Sequence, residues 1–155
     1  MIALLLLALL SIPFAAVSLA QPGSVNLPGE NYVPRLGDIM NAIQIRHVKL
    51  WYAGKAANWE LAGFELRQLR ENLLEAAVLY AGIPVSNVTT MAAPLHSRED
   101  AILAKDVRGF SNGFAEFTTG CNSCHASMGR AFILIHTPTE PQPMGNQSFT
   151  PNRKP

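Results

Sequence analysis

Apolar residues recur at alternating steps of three and four along three stretches of this chain, a period that only helices packed side by side can use. The clearest stripe is Trp59, Ala62, Leu66, Leu69, Leu73, Ala76 and Tyr80, the seam of one helix face. Gly82 and Pro84 stop it. An earlier stripe runs through Leu36, Met40, Ile43, His47, Leu50 and Gly54, with Asn41, Gln44, Arg46 and Lys49 off it. It predicts a helix over about 35 to 53, with Gly54 to Asn58 as the break. A third stripe, Val107, Phe110, Phe114, Phe117, Cys121, Cys124 and Met128, predicts a helix from Val107 to Phe132, about 39 Å long. Between the second and third stripes, Ile83 to His96 holds two prolines and no period, which predicts a loop. Ser97 and Asp100 then have capping-box spacing and predict a short helix of about two turns. Asp106 offers an N-cap for the last helix. Arg67 and Glu71, one turn apart, are expected to pair. The expected fold is all-α and four-helix-bundle-like, with three long helices and one short.

The two ends read differently from the middle. Met1 to Ala20 carry no charge, Ile2 to Leu10 is an almost unbroken apolar run, and Ser18-Leu19-Ala20 supplies the small residues a signal peptidase reads. Residues 1–20 are therefore expected to be a signal peptide cut before Gln21, although no Lys or Arg precedes the apolar run. An uncleaved membrane anchor is the competing reading, for which Pro13 is awkward. Residues 21–34 form an irregular lead-in, 35–133 one helical domain, and 134–155 a tail holding five of the eleven prolines. That tail reads as a strap and not as a second domain. Twelve Lys and Arg against eleven Asp and Glu give a net charge of +1 with no basic stripe. Nucleic-acid binding, which rests on clustered cations, is thereby set aside.

The chemistry lies in Cys121-Asn122-Ser123-Cys124-His125. Two cysteines three apart project from one helical face, and His125 follows one turn after Cys121. Such a set can hold a porphyrin by two thioethers and put the imidazole under its iron, the C-x-x-C-H signature of a single covalent haem c. Phe110, Phe114 and Phe117 on the same stripe are expected to supply its apolar wall. Gly109, Gly113 and Gly120 would allow close approach of a flat ligand. Other readings of the motif fare worse. A dithiol redox pair normally opens a helix after a strand, and none is expected here. A structural zinc site needs four ligands, and the chain has two cysteines in all. A plain disulfide gives no reason for His125.

Long amphipathic helices with C-x-x-C-H near the C-terminus resemble the cytochrome c′ family of four-helix bundles, over about residues 35 to 132. The short third helix and the long tail depart from that family. Arg46-His47-Val48-Lys49-Leu50-Trp51, Asn58-Trp59-Glu60-Leu61-Ala62 and Asn146-Gln147-Ser148-Phe149 are similar to uncharacterised bacterial cytochrome c-domain proteins. That similarity strengthens the haem reading and carries no known activity; the N-terminal segment makes the periplasm the expected location.

The second axial position decides what such a protein does. A His or Met there suits electron transfer, and an open position admits NO or CO. His47, the one ionisable residue on an otherwise apolar stripe, is the leading candidate, and a core histidine bonded to a carbonyl is its alternative. With the first and last helices antiparallel and level, His125 falls at the height of Ile43, with Met40 about one turn below and His47 about one turn above. Met144 is reachable if the tail loops back. Met128 shares the helix and face of His125 and cannot cross the ring. His96 and His136 are expected to be solvated. Trp51, Tyr52 and Trp59 are candidates for the haem edge or simply core, and Arg46, Lys49 and Arg130 for pairing with propionates.

The leading expectation is a non-enzymatic carrier of single electrons between periplasmic redox proteins. Gas binding at an open iron, and service as the haem subunit of a larger oxidoreductase with the tail as docking strap, are the alternatives. A seam-forming helix pair would also serve a homodimer.

Overall fold

The computed structural model describes residues 32–83, 85–139 and 146–151. The expected signal segment and Met144 lie outside them. Four helices follow in order: α1 Leu36–Lys55, α2 Trp59–Leu79, α3 Val85–Leu103 and α4 Val107–Ser127. No strand occurs among the described residues. Each helix packs on its neighbour in sequence, and α1 also packs on α4, which closes an up-down-up-down bundle. Among the described residues no helix is long and apolar enough to cross a membrane.

The turns explain why the helices pair as hairpins. At the end of α1, Asn58 N–H reaches Ala53 O and Ala57 N–H reaches Gly54 O, with Ala57 at φ 53°. At the end of α3, Asp106 N–H reaches Ala101 O and Lys105 N–H reaches Ile102 O, with Lys105 at φ 54°. Both are Schellman closures in which a left-handed residue satisfies the last carbonyls. The next residue in each case caps the following helix: Asn58 accepts from Leu61 N–H and Asp106 from Arg108 N–H, the latter as the sequence predicts. The chain reverses direction with no spare residue.

The third helix is not short. The segment expected to be a loop is the first half of α3, which is 19 residues long and runs straight through Pro94. A proline removes only one backbone bond, and burial of Leu95 and Ile102 offsets it. The stripe was hidden because its middle position is Arg98, which is fully buried. Ser97 therefore lies inside the helix and caps nothing; its hydroxyl accepts from Arg98 Nη2 at 3.1 Å. The fourth helix is shorter than expected, ending at Ser127, where Gly129 at φ 67° allows Arg130 N–H to close on His125 O. On α2, Glu71 takes its hydrogen bond from Gln68 at 2.8 Å, while Arg70 of α2 reaches Glu99 of α3 at 3.6 Å.

The interior holds an aromatic stack along α4. Phe110, Phe114 and Phe117 are fully buried, with Trp51 against Phe110 and Phe114 and Trp59 against Phe110. Gly54 makes room for it: a Cβ there would occupy the Phe110 ring. Gly113 does the same for the Arg98 guanidinium, the flat group that this glycine admits. Burying each such aromatic contributes about 1.5–3 kcal/mol. From the tail, Phe149 returns to the bundle, buried against Tyr52 at a ring distance of 5.7 Å.

Candidate functional site

The pairing of α1 with α4 has a readable register. Gly54 meets Phe110, Trp51 meets Phe114 (4.9 Å between centroids), and His47 meets Thr118 (2.9 Å). Two turns back along α1 correspond to two turns forward along α4. One more such step sets Met40 level with Cys124 and His125. At that level the helices part, and a cavity of about 480 Å³ opens between α1, the second half of α2 and the end of α4.

Cys121, Cys124 and His125 all line this cavity, as do Met40, Ile43 and His47 from α1 and Leu69, Leu73 and Ala76 from α2. The spacing of the motif thus brings its three reactive groups to one apolar space. Phe110, Phe114 and Phe117 do not line it. They lie on the right face but farther down α4, and they fill the closed half of the bundle instead. The apolar wall comes from α1 and α2, and from Ile133 and Ile135 of the segment after α4.

Burial pushes the Cys121 thiol up to about 12, with Cys124 beside it adding a smaller push in the same direction. A thiol so placed is neutral at ordinary pH and a poor nucleophile for disulfide exchange. No disulfide joins the two cysteines. The His125 ring is fixed through Nδ1, which lies 2.9 Å from Ile133 O. A carbonyl only accepts, so Nδ1 carries the proton and Nε2 of the neutral ring keeps its lone pair.

His47 is the opposite case. It is buried, stacked on Phe117 and tilted against Phe114, with Nε2 at 2.9 Å from Thr118 Oγ1. The single hydroxyl proton of Thr118 goes to Phe114 O at 2.8 Å, so Oγ1 must accept and His47 Nε2–H must donate. Burial lowers the His47 imidazole to about 4. The nitrogen that would reach across the bundle is thus committed to a core hydrogen bond, with a hydroxyl where a carbonyl was the expected partner.

Other expected contributors separate cleanly. Arg46 is held at 2.9 Å by the buried carboxylate of Glu65, and Lys49 does not reach the cavity; Arg130 lines it. Trp51 and Trp59 belong to the closed core. His136 is exposed, and exposed His96 lies 3.8 Å from Glu99. Sequence reasoning assigned no role to Asn122. Its amide grips the backbone of Ile135 twice, Nδ2–H to O and Oδ1 from N–H, each at 2.8 Å. The nearest signal was the apolar run Ile133-Leu134-Ile135 directly after α4.

A covalently held, planar, apolar cofactor fits these residues. The cavity volume lies in the range of about 300–1,000 Å³ usual for small-molecule and cofactor sites. Its wall is mostly aliphatic; the two thiols and the His125 imidazole lie on it, with Asn41, Gln44, His47 and Arg130 as further polar lining. Comparison with family models, curated proteins and solved structures finds no significant match to this chain.

Proposed function

We propose that this chain is an exported c-type cytochrome that carries single electrons through one haem c, attached at Cys121 and Cys124 and ligated by His125. One observation carries the reading: both thiols and an imidazole held through Nδ1 share a single apolar cavity of cofactor size. Haem bound there would supply an iron couple that exchanges one electron at a time. The chain's own residues do the rest. Ile43, Leu69, Leu73 and Ala76 exclude water, and Ile133 O fixes the imidazole. Arg130 is the cation available at the cavity for a propionate.

Met40 would be the second residue to hold the haem iron. Its level opposite His125 and its place in the cavity wall support it, and the commitment of His47 Nε2 to Thr118 counts against the rival. A thioether in that place would favour electron transfer over the binding of NO or CO. The charge-free apolar stretch at the N-terminus supports export to the periplasm, with other redox proteins as partners.

The test is the optical spectrum of the reduced protein with and without CO. The wild-type spectrum is expected to be low-spin and indifferent to CO. Met40→Ala is expected to become CO-reactive, whereas His47→Ala stays indifferent. A wild-type protein that binds CO at once would replace electron transfer with gas binding.

A further inference from the structure

The segment after α4 is a short extended strap. Ile133 and Ile135 both line the cavity, although Ile133 is itself 42 % exposed, whereas Leu134 between them does not line it and is 59 % exposed. That alternation is the period of two of an extended chain. Two contacts tie the strap to α4 along this stretch. Asn122 binds Ile135 by a pair of hydrogen bonds, and His125 Nδ1–H donates to Ile133 O. They are not equivalent. The Asn122 amide satisfies both the N–H and the C=O of one residue, so it fixes the strap in position and in rotation. The His125 contact is single, and Ile133 is otherwise held by its own N–H closing a turn on Arg130 O at 2.8 Å.

We infer that Asn122 is the positioning residue for His125. By clamping Ile135 it holds the Ile133 carbonyl where it accepts the Nδ1–H, and so leaves Nε2 as the lone-pair donor toward the cavity. The residue between the two cysteines thus selects the tautomer of the imidazole that follows them. This rests on reading His125 as the iron ligand, but the tautomer itself is a property of the chain. A second-shell acceptor on the far nitrogen orients a ligating imidazole and raises its basicity. A neutral imidazole without such an acceptor favours the proton on Nε2, the nitrogen that must be bare to bind metal.

The test uses the full-length chain without haem, ¹⁵N-labelled on histidine, at about pH 8. Folding is checked by helical circular dichroism. In wild type, His125 is expected as the Nδ1–H tautomer and His47 as Nε2–H. In Asn122→Ala, His125 should move toward Nε2–H while His47 does not change, which separates a local effect from general loosening. Exchange of the Ile135 amide should speed up roughly tenfold or more. Asn122→Asp keeps the acceptor for Ile135 N–H and loses the donor, so it should fall between. Should the haem-free chain not fold, the same variants are read in the haem-loaded protein. There the His125 Nδ1–H should exchange faster and the reduction potential should rise. An Asn122→Ala protein whose His125 keeps its Nδ1–H, slowly exchanging, would overturn the proposal and leave haem attachment untouched. Absence of thioether-bound haem would sink the functional reading and leave the tautomer result standing.

Discussion

His47 and His125 line the same cavity from facing helices, yet they carry their protons on opposite nitrogens. His47 gives Nε2–H to Thr118 inside an aromatic stack. His125 gives Nδ1–H to a backbone carbonyl of the strap and keeps Nε2 bare. The contrast follows the two halves of the α1–α4 pair. From Gly54 to His47 the helices are packed solid, because a glycine admits Phe110 and a threonine satisfies the histidine. From Ile43 to Met40 they part, and the wall is aliphatic. One half specifies the bundle, and the other half holds the cavity. A histidine in a helix stripe is therefore not informative until its partner nitrogen is known.

The contrast can be broken most forcefully in the solid half. Phe114 has no exposure and touches His47, Trp51, Phe110 and Phe117. Phe114→Ala should cost about 3–5 kcal/mol, read from urea unfolding, because that packing cannot collapse onto the void. A loss under about 1 kcal/mol would mean that the half is not close-packed.

Acid should find the same half next. Burial holds the His47 imidazole at about 4, against an ordinary 6.5. The unfolded chain takes up its proton first as pH falls, so this group leaves stability intact above about pH 6.5 and drains it down to about pH 4. The full loss is up to about 3 kcal/mol. His47→Phe should remove that slope. Unfolding curves of the two proteins at pH 7 and pH 5 measure the difference, and equal slopes would show that His47 is not buried as a neutral ring.

The smallest effect belongs to the open half. Leu73 lines the cavity, so one side of it already lacks partner atoms. In the haem-free chain Leu73→Ala should cost about 1–2 kcal/mol, clearly less than Phe114→Ala. Equal costs would mean that the cavity is closed in solution.

How much of this was legible depends on what each residue does locally. The stripes of α1, α2 and α4 obey the helical period, and Asp106 caps as its side chain dictates, so these elements and their ends follow from sequence within a few residues. The first half of α3 does not, because Pro94 breaks the local rule and the buried stripe position is a cation, Arg98. Within the site, Cys121, Cys124 and His125 are set by spacing on one helix. The aromatic wall was misplaced because a stripe gives the face of a helix but not the height along it. Register is a property of two helices, and together with the Thr118 hydrogen bond it favours Met40 over His47. Asn122 was invisible for a related reason. Its partner, Ile135, lies thirteen residues on, in a segment with no helical period.

The most direct test is the mass of the intact mature protein made in a host competent for cytochrome maturation. The account predicts one species equal to the polypeptide from Gln21 plus one haem, unchanged by acid–acetone extraction and lost in the Cys121→Ala, Cys124→Ala double variant. A colourless protein with the mass of the bare polypeptide would contradict it.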